Sequence, residues 1–169
     1  QLDGAKSLSL DIATIINITP DHLDYHESFD RYVSSKLKII NFLKKNGIFI
    51  YDKSNELLNK VIDTNKYSSL KFSSVHEKEA KDFINDNNYL KGTHNAINAS
   101  IAISIAKKLN IKDSKIGLAI KRFEGLSHRM EPLYISRNFR IINDSKSTNG
   151  ESTAAALKSF SNIFWIVGG

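Results

Sequence analysis

The chain has 169 residues, 41% of them hydrophobic, which suffices for one ordinary core, or for one domain and part of another. It has no cysteine, so disulfides and thiolate metal sites are excluded. The net charge of +6 admits an anionic partner, but Lys36, Lys38, Lys44, Lys45, Lys107, Lys108, Lys112 and Lys115 are scattered among acids, without the aromatic-interleaved stripe of a nucleic-acid surface, and a compositional bias explains the charge better.

The first element is "DIATIINIT", residues 11–19, a β-branched and nearly continuous apolar run that reads as a buried parallel strand stopped by Pro20. Ser28 is placed to cap a helix through "FDRYVSSKLKIINFLKK", whose Phe29, Tyr32, Val33, Leu37, Ile40 and Leu43 fall at helical spacing, and Asn46-Gly47 is placed to end it. "IFIY" follows as a strand, then a short helix around "NELLNKVID" opened by Ser54, then the strand "SLKFSSV". "KDFINDNNYLKG" has no clear period and reads as irregular, with room for a short edge strand.

"HNAINASIAISIAKKLN" is the best helix, alanine-rich, with Ile97, Ile101, Ile105 and Leu109 repeating every four residues. "DSKIGLAIKRF" is a further helix capped by Asp113 or Ser114. After Gly125 the texture changes: "PLYIS" and "FRIIN" pair as a hairpin, "STAAALKSF" is a helix and "IFWIV" a buried strand. Strands alternating with helices predict an α/β protein with a mainly parallel sheet, divided into domains at residues 1–126 and 127–169. No run of about 18 apolar residues predicts a membrane span, and no basic-then-apolar N-terminal segment predicts a signal peptide. A cytoplasmic enzyme fits. The opening without Met and the close on an apolar run and Gly-Gly are read as a fragment cut at both ends.

Five stretches carry residues suited to chemistry. "TPDHLDYH" follows a strand's carboxyl end, where open α/β sheets bind ligands, and Asp21, His22, Asp24 and His26 suit a divalent metal; on spacing alone a solvated, self-capped loop is the simpler reading. Lys36 is either an exposed helical lysine or, if carbamylated, an anionic metal ligand. In "LKGTHNAINASIA", Asn95 and Asn98 share a helix face and suit a planar heteroaromatic base, with capping by Thr93 or Asn95 the competing role. In "GLSHRMEPL", Arg129 suits a phosphate and His128 can stack on a base; the alternative is a linker with an Arg–Glu pair. "INDSKSTN" offers Asp144 to a ribose, Lys146 to a carboxylate or phosphate, and Thr148 and Asn149 as neutral donors. A cap made by Ser147, Thr148 or Ser152 needs one residue, and here six polar candidates stand in a row.

The order "NITPDHLDYH", "SSKLKI", "LKGTHNAINASIA", "GLSHRMEPL", "INDSKSTN", "FWIVGG" resembles the Mur ligase family over essentially the whole chain. Asn143-Asp144-Ser145-Lys146 with Thr148-Asn149 resembles the branch that adds D-glutamate, with Ser147 where alanine is expected. The resemblance implies the later part of a central ATPase domain followed by the start of a Rossmann-like C-terminal domain. It implies ATP and Mg2+, and UDP-N-acetylmuramoyl-L-alanine and D-glutamate as substrates, joined through an acyl phosphate by a monomer with no nucleic-acid or membrane partner. It implies Lys36 as a carbamate and His22 at the metal and the reacting phosphate; Gln1 on the muramoyl substrate; Asn95, Asn98 and His128 on adenine; Arg129 on the γ-phosphate; Asp144 on the ribose; and Lys146 and Thr148 on D-glutamate. Rivals are another Mur ligase, a folylpolyglutamate synthase-like ligase, and a nucleotide-binding domain without chemistry.

Overall fold

The computed structural model describes residues 4–19, 23–62, 66–90 and 92–168, with backbone alone at Leu23, Asp24 and Glu151. Three parallel strands in the order β1 (Leu10–Ile15), β2 (Leu43–Asp52) and β3 (Lys71–Val75) form the sheet, as the alternation of strands and helices predicts. The register sets Ala13 beside Phe49 and Phe49 beside Phe72. Side chains alternate across each strand. Ala13, Ile15, Phe49 and Tyr51 therefore face one layer, with Tyr32, Val33, Ile40, Leu58 and Ile62. Ile12, Ile48, Ile50 and Val75 face the other, against Ile97, Ile101 and Ile105. Phe49 and Ile50 are both fully buried, so β2 is the axis of both cores.

On the first layer lie α1 (Leu23–His26), α2 (Phe29–Leu37) and α3 (Glu56–Val61). Ser28 caps α2 as expected, accepting from the Arg31 amide at 3.3 Å. The helix is shorter than its apolar period predicts: it ends at Leu37, a 3₁₀ turn over Lys38–Phe42 turns Ile40 inward, and Leu43 already pairs with Leu10 as strand. Asn46 and Gly47 fall inside β2, where the register with β1 shifts. Gly47 is required there, because a Cβ would stand 2.8 Å from the Lys44 carbonyl oxygen. Asn55, not Ser54, caps α3; Ser54 instead donates to the buried Asp52 carboxylate.

The second layer is α5 (Thr93–Lys108), preceded by a 3₁₀ turn over Glu77–Ala80 and α4 (Lys81–Ile84), and followed by α6 (Asp113–Lys121). The segment read as irregular or edge strand is thus helical in its first part. α5 is apolar on two sides: Ile97, Ile101 and Ile105 meet the sheet, while Ala99, Ile103 and Ala106 meet α4 and α6. Leu109 drops out of the expected repeat as the exposed C-cap. Lys112 holds the N-cap position of α6 without a side-chain bond, so neither Asp113 nor Ser114 caps it.

β4 (Glu131–Ile135) and β5 (Arg140–Asn143) form the expected antiparallel hairpin, a separate two-stranded sheet, and α7 (Gly150–Leu157) follows. The stretch read as a buried strand, 163–167, is irregular, with Phe164 100% and Ile166 97% exposed. A strand exists only by pairing, and no strand among the described residues lies beside it.

Buried polar groups tie these layers together. Ser100 donates to the His76 carbonyl at 2.9 Å, fixing α5 to the carboxyl end of β3. Asn87 donates to the carbonyls of Ile120 and Phe123 at 2.6 and 2.8 Å and accepts from the Tyr89 amide at 2.8 Å. It thereby closes the end of α6 against the segment leading into α5. Asn87→Ala removes three side-chain hydrogen bonds to the backbone, and a loss of about 3 kcal/mol in denaturant unfolding is expected, at about 1 kcal/mol each; a change under about 0.5 kcal/mol would contradict this role.

Candidate active site

Lys36 projects from the last turn of α2 toward the carboxyl end of β1. Its Nζ donates to the Asn17 carbonyl at 3.3 Å and lies 4.7 Å from the centre of the Tyr32 ring. Two further rings lie against it, His26 edge-on at 5.3 Å and Phe29 tilted at 6.1 Å. Tyr32 is thus wedged between the imidazole and the lysine, and His26 has a packing role. Lys36 is half-buried, with one carbonyl oxygen at hand. A divalent cation there needs anionic oxygens, which a carbamate on Nζ would supply and an ammonium would not. Among the described residues no group of three His, Asp or Glu is arranged for a metal. His22 and Gln1 lie outside the described residues, as does Asp21.

A second constellation gathers at the start of α5. Gly92, at φ +91°, takes the N-cap position without a side-chain bond, so the helix is capped by neither Thr93 nor Asn95. Asn95 and Asn98 are half-buried on the first turns, and the Asn95 amide reaches the Tyr89 carbonyl at 3.5 Å. Tyr89 in turn packs on Gly125, at φ +81°.

Between the two asparagines' turn and the hairpin sits His94, which the sequence motif contained but the reading passed over. Its half-buried ring lies on Gly92, where a Cβ would come within 3.1 Å of Cε1 and 3.2 Å of Nδ1. Burial pushes its pKa below the ordinary 6.5; Asp144 opposes that shift and Arg129 adds to it. The charges of both candidate loops are thus felt at His94, at the start of α5. The signal available in sequence was its place directly before Asn95, the first of the two asparagines.

The two loops are one hydrogen-bonded unit. Asp144, half-buried, accepts from the Met130 amide at 2.9 Å through Oδ1 and from the Ser147 hydroxyl at 2.5 Å through Oδ2. The Lys146 amide donates to the His128 carbonyl at 3.0 Å. Glu131 accepts from the His128 amide at 2.8 Å, so the Arg–Glu linker pair is replaced by a Glu131–His128 contact. These bonds hold His128 and Met130 at φ +64° and +49°, left-handed conformations that side chains adopt only when surroundings impose them. Arg129, Lys146 and Thr148 are exposed. The cap of α7 is Asn149, which accepts from the Ser152 amide at 2.9 Å, so Ser147, Thr148 and Ser152 are not the cap.

His94 gives a signed pH effect. Its folded pKa is lowered, so the unfolded chain binds this proton more readily, and stability present at neutral pH is lost as the pH falls through about 6.5. His94→Gln is expected to flatten the acid limb of a Tm-against-pH curve between about pH 7 and 5; an unchanged limb would remove His94 as its source.

The Mur ligase middle domain matches residues 1–112. The chain is 38% identical over its whole length to "UDP-N-acetylmuramoylalanine–D-glutamate ligase" of Zymomonas mobilis, covering 38% of that protein. It is 32% identical to the protein of that name from Bartonella henselae, covering 40% of it. The chain thus spans about two-fifths of the length of these curated relatives. Among solved structures, MurF of Acinetobacter baumannii matches with a TM-score of 0.69 at 17% identity, covering 88% of this chain and 37% of that one. MurF of Thermotoga maritima, in complex with ADP, matches with a TM-score of 0.67 at 13% identity, covering 90% of this chain and 40% of that one. These two likenesses bear on fold. Together with the middle-domain match over most of the chain, the sequence evidence makes the protein a member of the Mur ligase family.

Proposed function

We propose that the protein is an ATP-dependent ligase that joins D-glutamate to UDP-N-acetylmuramoyl-L-alanine in peptidoglycan precursor synthesis. It would act as a cytoplasmic monomer with a domain junction at residues 126 and 127. The observation that carries this reading is the 142–149 segment. Its Asp144 is pinned by two hydrogen bonds while Lys146 and Thr148 stay exposed, and the chain aligns end to end with relatives named for that reaction.

ATP would phosphorylate the muramoyl-alanine carboxylate, and the D-glutamate amine would displace phosphate from the acyl phosphate. Both steps gather negative charge, which fixed cations must offset. Arg129 would contact the γ-phosphate from its exposed place in the 128–131 loop. Asn95 and Asn98 would read the adenine edge and His128 would stack on the ring. Asp144 accepts one bond on each oxygen, and each oxygen has a second lone pair free for a ribose hydroxyl. Lys146 and Thr148 would receive the D-glutamate carboxylates. Mg2+ would be held by a carbamate on Lys36 with His22, and would supply charge neutralisation at the transferred phosphoryl group. Gln1 would contact the muramoyl substrate. Closure of the 128–148 unit onto α5 would exclude water from the acyl phosphate.

The test uses the full-length enzyme with ATP, Mg2+ and UDP-N-acetylmuramoyl-L-alanine, following phosphate release with D-glutamate, L-glutamate, L-lysine or L-alanine offered in parallel. Release is expected with D-glutamate alone. Release with another acceptor would move the specificity, and release with none would favour a nucleotide-binding domain without chemistry. Lys146→Ala should raise KM for D-glutamate and Asp144→Ala KM for ATP, each about ten- to a hundredfold, the worth of a charge-assisted hydrogen bond. Wild-type kinetics in both would defeat the assignment.

A further inference from the structure

We propose that Asn143 is a positioning residue: its carboxamide locks the His128 imidazole in the tautomer protonated at Nε2 and couples it to the turn that carries Lys146. This rests on the reading of His128 and Lys146 as nucleotide and amino-acid contacts.

Asn143 ends β5 opposite Glu131, the first residue of β4. Its Oδ1 accepts from the Ser145 amide at 3.2 Å. A backbone amide can only donate, so this bond fixes which end of the carboxamide is oxygen. Nδ2 then faces His128 Nδ1 at 2.9 Å and Glu131 Oε2 at 3.4 Å. Nδ2 carries only protons, so Nδ1 must present its lone pair, and a neutral imidazole with a lone pair at Nδ1 is protonated at Nε2.

A competing arrangement is an ion pair between His128 Nδ1 and Glu131 Oε2, which are 3.7 Å apart. It needs a proton on Nδ1, and that proton would point at the donor of Asn143. The contact with Asn143 is shorter by 0.8 Å (3.7 less 2.9) and has hydrogen-bond geometry, so it decides. Glu131 acts on the backbone instead, through the His128 amide at 2.8 Å.

The ring itself is exposed, with Nδ1 occupied from behind. It offers an uncharged face and an outward N–H, which suit a heteroaromatic base better than an imidazolium would. The same carboxamide holds Ser145 through its oxygen, and the Lys146 amide holds the His128 carbonyl. Imidazole and lysine therefore move together.

The experiment is long-range 1H–15N correlation on the full-length protein labelled in histidine, with His128 assigned by its loss in His128→Ala. Wild type should show a protonated Nε2 and a bare Nδ1. Asn143→Asp replaces the donor with an acceptor and should move the proton to Nδ1 or charge the ring. A free-histidine mixture in wild type, or no change in Asn143→Asp, would overturn the proposal. In kinetics, Asn143→Ala should raise KM for ATP and for D-glutamate together, about three- to tenfold each, with kcat little changed. Adding it to His128→Ala should not raise KM for ATP further. A loss confined to Tm and kcat, with both KM values unchanged, would mark a merely structural residue and overturn the coupling. If the wild-type enzyme released no phosphate with any acceptor, the function above would fall, and the tautomer measurement would still decide the role of Asn143.

Discussion

A parallel sheet buried on both faces leaves its chemistry one place to go. With Phe49 and Ile50 both fully enclosed on successive positions of β2, neither face can accept a ligand. Polar groups collect where strands end: Asn17 and Lys36 beyond β1, Asp52 at the end of β2 with Ser54 beyond it, His76 beyond β3. Ser100 then anchors α5 at that same edge. That gathering at one edge follows from three strands of the main sheet that all point one way.

The second constraint is conformational. The 128–131 loop holds two residues in left-handed conformations, each of which costs free energy in a side-chain-bearing residue. The offset comes from the 143–147 turn, which supplies Asn143, Asp144 and the Lys146 amide as partners. The polar density of "INDSKSTN" thus divides between two tasks. Asn143, Asp144, Ser147 and Asn149 build the loop and the start of α7, while Lys146 and Thr148 remain exposed.

Much of this was legible in the sequence, and the failures have a common physical source. β1, the core strand of β2, β3 and α5 were readable because burial leaves apolar runs or a repeat of four in the residues, and the hairpin, which buries none of its residues, from its two short apolar stretches around a turn. What was missed depends on partners distant in sequence. Nothing local says that Leu43 will pair with Leu10, so the helical period of α2 was followed too far. The apolar run 163–167 was read as a strand, though no strand among the described residues borders it. Asn87 looked like loop, since its partners Ile120 and Phe123 lie more than thirty positions away. His94 stood inside a recognised motif yet drew no role, because the charges that act on it, Asp144 and Arg129, belong to another part of the chain.

Gly92 has a bearing on the geometry of the whole. A methyl group there would press on the His94 ring at 3.1 Å and come within 3.5 Å of the Ser159 hydroxyl, just past α7. The glycine therefore acts as a spacer of minimum thickness between the long helix of the sheet layer and the element that follows the hairpin. Its positive φ already restricts replacement on backbone grounds, and the two contacts add a second reason. How close the start of α5 and the segment after α7 can stand is set, at this point, by a side chain that is not there.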